Sequence, residues 1–170
     1  MAKVTGVATR RTAFRIAVVA ALAAVTAVIV ASSALASKSS TLHSVKTATV
    51  QTRSVKGLGT ILVNSKGLTL YMFVPDKQKK VTCKGSCAVI WPPLKVKLAQ
   101  RLTAGGTANK RLLGRDRNPG GGFVATYNRW PLYTYLTDTK PGQVKGQALN
   151  LNGGLWYVLS PSGKVIKKHL

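Results

Sequence analysis

The sequence predicts an all-β or β-dominated domain of antiparallel hairpins, carried behind an export segment and a short tether. Three observations predict it. Beyond Ala36 the composition favours strands and turns. Short alternating apolar runs are bounded by Asn- and Gly-containing turns. And one segment recurs at an offset of 62 residues.

The composition comes first. A chain of 170 residues leaves room for one ordinary domain once an export segment is removed. After Ala36, Gly, Thr, Val, Leu and Tyr are frequent, Ala is scarce and Glu is missing, a bias toward strands. The charge is lopsided: 26 Lys and Arg stand against 3 acids, all of them Asp. Beyond Ala36 the count is 22 against 3, about +19. Such a charge keeps a protein soluble and draws it toward polyanions, while leaving little scope for surface ion pairs.

The N-terminal segment reads as a signal peptide over residues 1–36. Lys3, Arg10, Arg11 and Arg15 form a basic start, Ile16 to Ala31 is uncharged and apolar, and Ala34-Leu35-Ala36 offers small residues at a cleavage site. An uncleaved anchor is the alternative, although the apolar run is short and Ala-rich for a bilayer span. Arg10-Arg11 suggests a twin-arginine signal, but Phe14 falls one place late for that pattern. Residues 37–56 are Ser-, Thr- and Lys-rich without a sustained apolar pattern, and read as a flexible basic linker.

The domain proper is expected over residues 57–170, on two copies of one hairpin. Leu70-Tyr71-Met72-Phe73-Val74-Pro75-Asp76 aligns with Leu132-Tyr133-Thr134-Tyr135-Leu136-Thr137-Asp138. Thr60 to Val63, turning through Asn64 to Gly67, precedes the first; Phe123 to Tyr127, turning through Asn128-Arg129, precedes the second. Each copy has a later Trp, Trp91 and Trp156. Strand alternation sends Tyr71 and Phe73 to one face and Leu70, Met72 and Val74 to the other. Two such hairpins can pack about a pseudo-two-fold axis, so Tyr71, Phe73, Tyr133 and Tyr135 are expected in the core on equivalent strands. A partly exposed aromatic strip for stacking on a sugar is the alternative. A final hairpin is expected from Leu155–Leu159 through Ser160-Pro161-Ser162-Gly163 to Lys164–Ile166.

Asp76 and Asp138 each end a strand and open a polar turn, where an Asp bonds its own backbone two residues on. The functional alternative is a carboxylate pair meeting across the axis as an acid/base or cation site. Cys83-Lys84-Gly85-Ser86-Cys87 reads as one local disulfide in an exported chain, contributing about 2 kcal/mol through so short a loop. Pro92-Pro93 after Trp91 ends any helical turn that follows Cys87. A redox role for the Cys pair is open, since Lys84 favours the thiolate. Zinc lacks ligands, with only His43 and His169 to add, and no metal or cofactor is implied. Gly120-Gly121-Gly122 reads as a turn rather than a phosphate loop, and no nucleophile elbow occurs.

Together GTILVNSKGLTLYMFVPD, CKGSCAVIWPPL, YNRWPLYTYLTD and GLWYVLSPSG resemble the bacterial secreted repeat of unknown function, over about residues 57–163. The resemblance implies an extracytoplasmic, lipoprotein-like β-rich domain with a tandem Tyr-x-aromatic-x-x-Asp motif and no assigned activity. This chain departs from it twice. Residues 30–40 hold no Cys for lipid attachment, and Gly142-Gln143 stands where relatives carry a Gly-Asp pair.

The functional expectation is therefore a non-catalytic envelope domain that adheres to anionic cell-wall polymer or lipid headgroups. An envelope redox protein using Cys83 and Cys87, and an enzyme using Asp76 and Asp138, are the alternatives. Nucleic acid is not expected as a partner: the cations are scattered, no RNA-binding aromatic signature occurs, and export removes the chain from the cytoplasm.

Overall fold

The computed structural model describes residues 49–170. The expected signal peptide, residues 1–36, and residues 37–48 of the expected linker lie outside the described residues. The rest of that linker is a correction. Val50–Val55 forms strand β1, paired antiparallel with β2 (Gly59–Asn64) from Val50 opposite Asn64 to Val55 opposite Gly59. Val50 is fully buried, and it exchanges backbone bonds with Thr103 and Gly105. One anchored Val and a partner strand therefore suffice where the sequence shows no apolar run.

Each copy of the repeat then builds its hairpin. In the first, Asn64 Oδ1 accepts the amides of Lys66 and Leu68, Gly67 N–H closes the turn on Asn64 O, and Leu70 N–H returns to Leu62 O at 3.0 Å. The chain continues as β3 (Tyr71–Phe73), then a 3-10 turn at Val74–Asp76 started by Pro75, a short helix α1 (Ser86–Ile90) and β4 (Lys95–Val96). That turn leaves Val74 exposed, against the alternation that placed it with Leu70 and Met72. In the second copy, β5 (Leu113–Arg117) precedes β6 (Phe123–Tyr127), and Asn128 and Arg129 turn the chain into β7 (Trp130–Pro131). Both turn residues have positive φ, as a two-residue hairpin of this hand requires. Leu132 N–H then bonds Ala125 O at 3.0 Å, the counterpart of the Leu70 bond. Strands β8 (Asn150–Leu151), β9 (Gly154–Leu159) and β10 (Val165–Ile166) follow. The last two form the expected final hairpin.

The strands form antiparallel sheets in the order β10–β9–β3, with β8 on β9, and β4–β6–β5, with β7 on β6. Tyr71 and Tyr133 join them. Each donates its backbone N–H to the other's carbonyl, at 2.8 and 3.0 Å. A reciprocal bond pair between equivalent residues is the local signature of a two-fold relation.

Alternation across this junction separates two cores. Tyr71, Phe73 and Tyr133 fall in one, with Ile61, Trp91, Val124 and Trp156. Leu70, Met72 and Leu132 fall in the other, with Leu62, Tyr127 and Leu159. The expected equivalence of strands holds only in part. β3 has a full partner in β9, whereas Tyr133–Tyr135 faces the segment Ile90–Leu94. There Thr134 and Leu136 donate to Pro92 and Ile90 carbonyls, but Pro92 and Pro93 have no N–H to give back. Leu94 N–H returns a bond to Leu132 O at 2.8 Å, but the two prolines interrupt the ladder between, so the second motif is not a regular strand.

Candidate functional site

The two copies of the motif complete each other at the junction. Tyr71 Oη donates to Asp138 Oδ2 at 2.5 Å, and Tyr133 Oη donates to Asp76 Oδ2 at 2.7 Å. Each tyrosine thus serves the aspartate of the other copy. All four residues are buried, with Asp76 at 0 % and Asp138 at 2 % exposure. The remaining oxygens close the loops that follow. Asp76 Oδ1 accepts the amide and hydroxyl of Thr82, and Asp138 Oδ1 accepts the amide of Lys145. Tyr71 Oη also accepts the Gly146 N–H at 3.2 Å.

These bonds revise both readings of the aspartates. The amides lie six and seven residues on, not two, and each carboxylate faces a phenol across the axis rather than the other carboxylate. Burial pushes the Asp76 carboxyl above its ordinary range, against the opposing pull of the Thr82 and Tyr133 bonds. Burial, reinforced by the adjoining carboxylates, drives the phenols of Tyr71 and Tyr133 far above theirs. The arrangement therefore holds two protons firmly on oxygen and offers none to solvent.

The aromatic rings repeat the exchange. Phe73, Trp156, Trp91 and Tyr135 stack in that order, with centroids 4.1, 3.8 and 4.1 Å apart. The central indoles are nearly parallel, at 3°. Phe73 covers the Trp of the second copy and Tyr135 that of the first. Tyr71 and Tyr133 meet the Trp of their own copy edge-on, at 5.5 and 5.3 Å. Edge-to-face contact is a favoured aromatic geometry and adds to the burial itself. Tyr135 is partly exposed at one end of the stack, and the other motif rings are covered. The strip is core. The two indoles differ in their partners: Trp156 Nε1 donates to Leu151 O, while Trp91 Nε1 is buried without an acceptor.

Cys83 and Cys87 form a disulfide that spans the start of α1, and both are buried, at 2 and 8 %. Pro92 and Pro93 carry the chain from Trp91 to β4. Sequence reasoning missed Thr82 and Gly146: Gly146 contributes only a backbone N–H, and Thr82, which adds its hydroxyl to its amide, is one of many threonines in the chain. Gly146 has a second role: a Cβ there would lie 2.7 Å from Trp91 Cη2 and 3.0 Å from Tyr71 Cε1.

Fold and site together define a tandem β-repeat domain, in which each copy supplies the donor for the other's buried acid. The chain belongs to the family described as the secreted repeat of unknown function, whose model matches residues 52–95 and 116–160. The first match starts inside β1, so that strand is part of the repeat. No curated protein and no solved structure matches the chain.

Proposed function

We propose that the protein is a non-catalytic envelope domain that adheres through charge to an anionic cell-wall polymer. The observation that carries this reading is the separation of charges. Of the 20 Lys and Arg among the described residues, 19 are exposed and only Arg115 is partly covered. Two of the three acids are buried in the tyrosine pairs. What solvent meets is a positive surface with almost no acid to neutralise it, the condition for attraction to a polyanion.

The alternatives receive less support. An acid/base pair must reach a substrate, and Asp76 and Asp138 are enclosed with their oxygens bonded to protein donors. A disulfide that exchanges with thiols must be accessible, and both sulfur-bearing residues are covered.

The test is a salt titration of binding to purified cell wall. Binding is expected to weaken steeply as salt rises and the Debye length shrinks from ~10 Å at 0.1 M to ~3 Å at 1 M. Retention independent of salt would overturn the reading.

A further inference from the structure

Between β5, the β6–β7 turn and the loop after Asp76 lies a cleft of about 380 Å3. This is the low end of the ~300–1,000 Å3 typical of small-molecule sites. Exposed Lys79, Arg111 and Arg129 line it, together with buried Thr126 and partly buried Asp116. Arg115 also borders it, but its guanidinium is bonded to the carbonyls of Lys97, Leu98 and Gln100.

A run of left-handed residues and a hairpin turn bring these cations together. Lys77, Gln78 and Lys79 are consecutive non-glycine residues at φ 39°, 45° and 78°, and Asn128 and Arg129 lie at 46° and 69°. The Lys79 N–H donates to Arg129 O at 2.9 Å, tying one segment to the other. The left-handed run Lys77–Lys79 and the converging like charges both oppose folding, whereas Asn128 and Arg129 are an ordinary hairpin turn, so stability alone does not account for the arrangement. Gly114 keeps the cleft wall close-packed, since a Cβ there would meet Thr126 Oγ1 at 2.8 Å.

The second observation is Asp116. Its Oδ1 accepts the Arg117 N–H at 2.8 Å, but its Oδ2 is buried with no donor. Asp76 and Asp138 have both oxygens bonded, so Asp116 is the one acid left incomplete, and it stands at the cationic cleft. A bare anion does not explain a carboxylate there. A ligand carrying an anion and a hydroxyl explains both features.

We infer that the cleft seats one unit of a polyol-phosphate or sugar-phosphate chain, with phosphate held by Lys79, Arg111 and Arg129 and a hydroxyl donated to Asp116. Asp116 lines the cleft but its Oδ2 is closed to solvent, so this seat requires its carboxylate to rotate toward the bound hydroxyl. The inference rests on the adhesion reading above and replaces diffuse attraction with a defined seat.

The experiment uses the processed protein and a short glycerol-phosphate oligomer, with inorganic polyphosphate as the second probe. Lys79→Gln, Arg111→Gln and Arg129→Gln together are compared with a charge-matched control, Lys56→Gln, Lys66→Gln and Lys140→Gln, all exposed and outside the cleft. At ~0.15 M salt the cleft triple is expected to lose roughly tenfold or more of its affinity for the oligomer. The control is expected to lose less than about threefold. Equal losses would overturn the cleft and leave the adhesion reading standing; failure of the unmodified protein to bind either probe would overturn both. Asp116→Asn separates the hydroxyl from the phosphate. It is expected to weaken the oligomer and strengthen polyphosphate, because the acid repels phosphate. A shift of both in the same direction would refute the hydroxyl seat.

Discussion

Replacing Tyr71 or Tyr133 by Phe removes one oxygen each, with different consequences. At Tyr133 the lost donor served Asp76 Oδ2 alone, and Asp76 keeps its two bonds from Thr82. Leaving one buried carboxylate oxygen unsatisfied costs about 2–3 kcal/mol. At Tyr71 the lost oxygen served Asp138 Oδ2 as donor and Gly146 N–H as acceptor. Two buried groups are orphaned, so the cost rises by about another 1 kcal/mol. Tyr71→Phe is therefore the worse of two otherwise equivalent substitutions, by roughly a factor of five in the folding constant. Packing is preserved in both, since the ring and its edge-on contact with Trp remain. Equilibrium urea unfolding measures the difference, with an unchanged denaturant slope as the check that the ensembles are comparable. Costs below about 0.5 kcal/mol for either variant would show that the hydroxyls are not bonded to buried carboxylates, and would refute the exchanged pairs.

Two further predictions concern pH and packing. The phenols of Tyr71 and Tyr133 have raised folded values, so their contribution is complete below about pH 10 and is lost as the unfolded chain ionises above it. Absorbance at 295 nm should show them ionising only with alkaline unfolding, and reversible early titration of all five tyrosines would contradict this. Asp76 also has a raised folded value; the native state holds its proton to higher pH than the unfolded chain, so stability from this group grows as pH falls. With only three acids to protonate, Tm should stay level or rise from pH 6 to 4, and a steep fall would count against it. Finally, Gly146→Ala should cost about 1–3 kcal/mol through overpacking against the rigid Trp91 ring, and a neutral result in thermal unfolding would refute the close contact.

The features legible in the sequence were those set by local period. Alternation in Leu70–Phe73 correctly divides Tyr71 and Phe73 from Leu70 and Met72, because a strand has only two faces. The offset of 62 locates the repeat, and the Asn turns locate the hairpins. Features that depend on a distant partner were hidden. Nothing near Asp76 says that its donor is Tyr133, 57 residues on. β1 was obscured because its hydrogen-bond partners are β2 and the backbone of Thr103 and Gly105, not features of its own sequence. The cationic cleft was invisible for the same reason: Lys79, Arg111 and Arg129 are unremarkable until backbone turns bring them together.

The exchanged Tyr–Asp bonds bear on how such a chain arose. A single copy holds a buried Asp whose phenol must come from outside and a Trp whose covering ring must come from outside. Two separate copies would satisfy these needs only as an isologous dimer, each giving what it receives. This chain is in effect that dimer with its subunits joined end to end. Outside these bonds the copies differ: the first carries a disulfide and a Pro-Pro segment around its Trp, where the second has the six-residue strand β9. A fragment cut between Leu102 and Asn109 would then be expected to yield two halves that remain unfolded apart and regain structure when mixed.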